Sequence, residues 1–168
     1  MAIRLNHTIV AAHDKAVSAS FLTRMFDLPA PTLLGHFAVV QVGETSLDYM
    51  DCEGEIAQQH YAFLVSEIEF DEIFERICEQ QVPYWADPFR RERDQINTWD
   101  DGRGLYFDDP SGHLLEIITR PYGSGGTTAS NPHPLIAPTL EPGDHEGGRA
   151  GPADNRGGDT PAQSERSD

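Results

Sequence analysis

One order of elements occurs twice in this chain. A repeat constrains a fold more than any single motif, because each copy must bury its own apolar face and the two copies must then pack together. Residues 3–10 read as a strand and "HDKAVSASFLTRMFDL" as a helix, with Ala16, Val17, Phe21, Leu22, Met25 and Phe26 near helical spacing. "HFAVVQV" and "TSLDYMD" follow as two strands joined across a tight "GE" turn. The second copy starts with the strand "HYAFLVS" and continues with a helix over "EFDEIFERICEQQ", which has Phe70, Ile73, Phe74 and Ile77 on one face. It closes with the hairpin "GLYFDDPSGHLLEIIT", turning at residues 109–112. The first copy thus reads as βαββ, and a further strand near residues 96–99 makes the second βαβββ, a plan open to each half. The expected class is α+β, with paired βαβββ modules forming a curved mixed sheet and helices on the outside.

Each copy opens with a histidine where a β-branched residue is the ordinary occupant: His7 in "LNHTIV" and His60 in "QQHYAFLV". "GHLLEII" sets a carboxylate, Glu116, among Leu and Ile on the last strand of the second copy, and Asp48 in "TSLDYM" is its counterpart in the first. If the two copies pair about a pseudo-twofold axis, these four side chains line one concave surface. Two neutral imidazoles and one carboxylate suit a divalent metal, leaving about two or three coordination positions open, as in non-haem Fe(II) sites and open catalytic zinc sites. The expected ligands are His7, His60 and Glu116, with Asp48 as a fourth ligand or an outer-sphere neighbour. His13, His36 and His113 have no repeat partner, and His113 is assigned to the hairpin turn.

Composition changes after Tyr122. The remaining stretch holds most of the chain's Gly and half of its Pro, with scarcely any aliphatic residues, so it has too little apolar surface to offset the entropy of ordering. The expected division is a domain over residues 1–122 and a disordered, acidic, Gly/Pro-rich tail over residues 123–168, whose His133 and His145 are poor ligand candidates. With 12 basic and 28 acidic side chains the formal charge is -16, which argues against a nucleic acid or an anionic membrane as partner. No run approaches the length of a membrane span and no leader pattern opens the chain, so a cytoplasmic location and a small-molecule partner are expected. Cys52 and Cys78 lack CxxC spacing and suggest neither a disulfide framework nor a thiolate zinc site.

The combination of "LNHTIV", "HYAFLV" and "GLYFDDPSGHLLEI" resembles the vicinal oxygen chelate superfamily, which groups glyoxalase I, fosfomycin and bleomycin resistance proteins and extradiol dioxygenases. The similarity covers about residues 3–120. It implies a metal at His7, His60 and Glu116. It also implies a homodimer in which one site takes His7 from one subunit and His60 with Glu116 from the other.

"YFDDPSGHLLE" is similar to the later part of the extradiol dioxygenase signature. The resemblance implies that Tyr106 hydrogen-bonds a metal-bound substrate oxygen. The upstream acid-base histidine of that signature has no counterpart, since Asn97, Thr98 and Trp99 occupy its window. The acidic, glycine-rich "NTWDDGRGLY" does not suit a phosphonate, although Arg103 is a candidate anion contact. Trp85 and Trp99 are candidate substrate-pocket walls. The resulting expectation is an Fe(II)-dependent, extradiol-type dioxygenase acting on a small chelating substrate, with Zn, Ni or Mn as other candidate metals. The alternatives are a glyoxalase-like lyase or isomerase on Ni or Zn, with Asp48 as fourth ligand, and a dimeric drug- or metabolite-binding resistance protein.

Overall fold

In the computed structural model, which describes residues 3–135, both halves follow one plan. The first supplies β1 (His7–Ala12), α1 (Lys15–Phe26), β2 (Thr32–Leu34), β3 (Phe37–Val42) and β4 (Thr45–Asp51). The second supplies β5 (His60–Leu64), α2 (Glu67–Glu79), β6 (Tyr84–Trp85), β7 (Gly104–Asp108) and β8 (Leu114–Ile118). Each half is a mixed four-stranded sheet, ordered β1-β4-β3-β2 and β5-β8-β7-β6. The α+β fold of paired βαβββ modules is therefore present, as two four-stranded sheets. The fourth strand of the second module is Tyr84–Trp85. The stretch near residues 96–99 makes only a bridge from Asn97 to Gly104 before a 3-10 turn over Trp99–Asp101. Extension stops there because Asp100 and Asp101 take positive φ of 55° and 58°.

Local chemistry sets the helix ends. Asp14 caps α1 by accepting from the backbone N–H groups of Ala16 and Val17, and the helix stops where Asp27 turns left-handed at φ 51°. Ser66 and Glu69 form a reciprocal capping box on α2. Among the described residues, no helix is long and apolar enough to cross a membrane.

Strand alternation divides each sheet into a core face and an opposite face. Val10, Ala12, Ala38, Val40, Leu47 and Tyr49 share one core with Ala19, Leu22 and Met25 of α1. Leu105, Phe107, Leu115 and Ile117 join it with Phe70, Ile73 and Ile77 of α2. Fully buried Phe107 lies 6.3 Å from Phe21 and 6.4 Å from Phe26, so the two modules share this core. Truncating such a ring costs about 3–5 kcal/mol. Both helices thus cover the core faces, leaving the alternate residues, His7, Ile9 and Asp48 in one sheet and His60, Tyr106 and Glu116 in the other, on the faces away from them.

His113 is part of the join between modules as well as of the turn. It is fully buried, its Nδ1 accepts from the backbone N–H of Gln59 at 3.0 Å, and its Nε2–H donates to the carbonyl of Ala11 at 2.7 Å.

The expected boundary at Tyr122 falls short of the packed structure. A 3-10 turn spans Gly126–Thr128, and the segment is tied to the Trp99–Asp101 turn. The N–H of Asp100 donates to the carbonyl of Asn131 at 2.7 Å, and the N–H of Gly123 donates to the Asp100 carboxylate at 2.8 Å. Two polar groups of an aspartate thus supply what the segment lacks in apolar surface. The remainder of the expected tail, residues 136–168, lies outside the described residues.

Candidate metal centre

The strand register gives the two modules equivalent donor positions. Ile9 pairs with Asp48 and Ala62 pairs with Glu116, so each histidine stands two residues before the partner of its module's carboxylate. Alternation places each histidine and carboxylate on the same sheet face.

In the second module these side chains meet. His60 Nε2 lies 3.1 Å from Glu116 Oε2. Two donors each about 2.1 Å from one ion are separated by about 3.0–3.4 Å at right-angled to tetrahedral geometry, so the pair has the spacing of neighbouring ligands. Glu116 is fully buried, and its side-chain partners are His60 and the Tyr122 hydroxyl, with no Lys or Arg pairing with it among the described residues. A buried carboxylate without a fixed cation is costly, and a divalent ion would supply the missing charge. The donor set therefore fits a metal.

Tyr106 lies directly across from Glu116 in the β7–β8 ladder. Its hydroxyl donates to that of Tyr122 at 2.9 Å, and Tyr122 in turn donates to Glu116 Oε1, forming a relay of two phenols onto one carboxylate. Burial, reinforced by the Glu116 carboxylate, raises both phenols above their ordinary range and keeps them protonated donors. Trp99 packs edge-on to Tyr106 at 6.3 Å, and Trp85 is the direct cross-strand neighbour of Tyr106. Both tryptophans therefore adjoin the site.

Arg103 does not. Its guanidinium donates to Glu67 at 2.7 Å and to Asp71 at 2.6 Å, and stacks 4.3 Å over Phe70. It fastens α2 to the start of β7, because the acidic first turns of that helix satisfy its charge. Its assignment as a substrate contact is corrected accordingly.

His7 belongs to the first sheet and is not brought to the His60–Glu116 pair: among the described residues, no three ligand-type side chains converge. Its Nδ1–H donates to Asn6 Oδ1 at 2.8 Å, which leaves Nε2 as the acceptor nitrogen. Asp48 accepts from Ser46 Oγ at 2.7 Å. Asn97 lies in the window of the missing acid-base histidine and is structural, donating from Nδ2 to the carbonyl of Ala86 at 2.8 Å.

Two residues beside the pair are not legible as such in the sequence. The expected division makes Tyr122 the domain's last residue and places His133 in the tail. His133 is 3% exposed and packs with its ring 4.0 Å from Tyr122 and 4.7 Å from Trp99. The only signal for them was an aromatic and an imidazole within a Gly-rich stretch.

The family model described as "Glyoxalase/Bleomycin resistance protein/Dioxygenase superfamily" matches residues 4–117. Among curated relatives, the metallothiol transferase FosB of Shouchella clausii (strain KSM-K16) is 30% identical over 122 residues, which is 68% of this chain and 79% of that protein. Two solved structures titled "Oxidase ChaP-H2" and "Oxidase ChaP-H1" are 57% and 55% identical to this chain, with TM-scores of 0.73 and 0.71. They cover 75% and 73% of this chain, and 100% and 99% of their own.

Proposed function

The chain belongs to the Glyoxalase/Bleomycin resistance protein/Dioxygenase superfamily, and from that premise we propose that it is a metal-dependent oxidative enzyme acting on a small substrate that chelates through two adjacent oxygens. The observation that carries the reading is the His60–Glu116 pair, 3.1 Å apart, with the Tyr106–Tyr122 relay directed onto the buried carboxylate. The similarity to two proteins titled oxidases, over essentially their whole length, favours oxidation over isomerisation.

The site is completed in a homodimer. His7 of a second copy supplies the third ligand, a reading supported by the equivalent register of the two modules, which gives His7 and His60 matching places. Ile9 and Leu64 are 52% and 60% exposed on the same faces of β1 and β5 as His7 and His60, as expected of surfaces that a subunit covers. Asp48, held by Ser46, acts as an outer-sphere neighbour.

Fe(II) is the favoured ion, supplying Lewis acidity toward two substrate oxygens and a redox partner for dioxygen. The protein's own residues do the rest. His60 and Glu116 bind and orient, Tyr122, held protonated, stays bonded to the carboxylate, and Tyr106, by turning its O–H from Tyr122 to the substrate, donates to oxygen charge that develops in the reaction. Trp85 and Trp99 flank Tyr106 and exclude water.

The test is oxygen uptake by anaerobically reconstituted Fe(II) protein across a panel of catechols and hydroxyketones. Uptake that needs both Fe(II) and a chelating compound is expected, with none in Glu116→Ala. Uptake unchanged by metal removal would contradict the reading. A glyoxalase-like lyase or isomerase is the second reading, and the register equivalence of Asp48 with Glu116 is in its favour. It predicts anaerobic turnover of a hemithioacetal and loss of metal in Asp48→Asn.

A further inference from the structure

His133 lies outside the residues matched by the family model, so no family role comes with it. Its position is nonetheless built. The N–H of Ser130 donates to the Asp101 carboxylate at 2.9 Å, and Asn131 Nδ2 donates to Thr98 Oγ1 at 3.0 Å. Together with the Asp100 contacts, these hold the segment against the turn that carries Trp99.

The protonation pattern of the ring follows from its contacts. His133 Nδ1 accepts from the backbone N–H of Leu135 at 3.1 Å, so the proton resides on Nε2. That Nε2–H is buried without a hydrogen-bond partner among the described residues. Buried donors are ordinarily satisfied, so a specific exception calls for a partner that these residues do not supply. Here the ring is in contact with Tyr122, whose hydroxyl reaches Glu116, and with Trp99, which packs on Tyr106.

Resting on the metal centre proposed above, we infer that His133 is a substrate-binding residue whose Nε2–H donates to an oxygen of the bound molecule, in addition to the two oxygens directed at the metal ligands. The substrate class is then narrowed to planar chelators that carry a third acceptor oxygen on the side facing Trp99 and Tyr122. The role is hydrogen-bond donation, and no proton needs to leave the ring. It also gives the segment after Tyr122 a function, since its hydrogen bonds to residues 98–101 set where the imidazole stands.

The experiment uses full-length protein loaded with Zn(II), which is diamagnetic and does not turn over, and nitrocatechol as the probe. Its ring carries two chelating oxygens and nitro oxygens as further acceptors. Wild-type protein should bind the probe, and His133→Phe, which keeps the ring packing and removes the donor, should bind it about tenfold more weakly, the loss of one hydrogen bond, with zinc content and melting temperature unchanged. His133→Gln, which retains an N–H donor, should recover part of the loss. Equal affinity in wild type and His133→Phe overturns the proposal. If His133→Phe fails to fold, the imidazole 15N–1H signal of the wild type decides: a downfield shift of Nε2–H on adding the probe supports the proposal and an unmoved signal overturns it. Inability of the wild type to retain zinc overturns the metal-centre reading instead, and this inference with it.

Discussion

The Tyr122 hydroxyl donates to the buried carboxylate of Glu116, and Tyr106 donates to Tyr122 in turn. The arrangement has a pH consequence. All five tyrosines are shifted upward from their ordinary value of 10.0, in each case first by burial. A phenol whose folded pKa exceeds its unfolded one contributes stability that is fully present below the unfolded pKa, about 10, and is lost as pH rises beyond it. The protein should therefore lose stability above about pH 10, with phenolate absorbance rising together with loss of the fold. Ionisation of most tyrosines at pH 10 in a protein that remains folded would contradict this.

His113→Leu should destabilise the fold without touching the proposed metal ligands. The substitution leaves the Gln59 N–H and the Ala11 carbonyl unpaired at the join between modules. Each such group costs about 1–3 kcal/mol, so a loss of about 2–6 kcal/mol is expected in urea unfolding. Stability within about 0.5 kcal/mol of wild type would show that the join does not depend on this imidazole.

Ending the chain after Tyr122 should expose the faces of Trp99 and Tyr122 that His133 covers and leave the Asp100 N–H without its Asn131 acceptor. A loss of about 1–3 kcal/mol and a red shift of tryptophan fluorescence are expected. A chain ended after Leu135 keeps these contacts and should behave as the full-length protein does. Identical melting of the two truncations would place the boundary back at Tyr122.

These outcomes reflect which physics a sequence displays. The repeat, both helices and the six longer strands are legible because apolar periodicity and cap residues such as Asp14 and Ser66 are local. The convergence of His60, Glu116 and Tyr106 is legible because strand alternation fixes the face of each. The short β2 and β6, three and two residues long, carry too little pattern to be read. Arg103 is ambiguous for another reason: whether a cation meets a substrate or Glu67 and Asp71 depends on where α2 lands. Tyr122 and His133 escape because a Gly-rich segment reads as chain entropy, whereas its docking comes from hydrogen bonds to the 98–101 turn.

In the proposed dimer one metal centre is assembled from two copies of the chain, with His7 from one and His60 and Glu116 from the other. His7→Ala and Glu116→Ala each leave every site of their own homodimer with one ligand missing. In a mixed dimer both defects fall on one site and the other is intact. After subunit exchange, an equimolar mixture of the two variants should therefore regain metal in about a quarter of all sites, the statistical yield of a twofold dimer, while each variant alone holds little. Confirmed exchange with no recovery of metal would contradict the shared centre, as would full metal occupancy in His7→Ala.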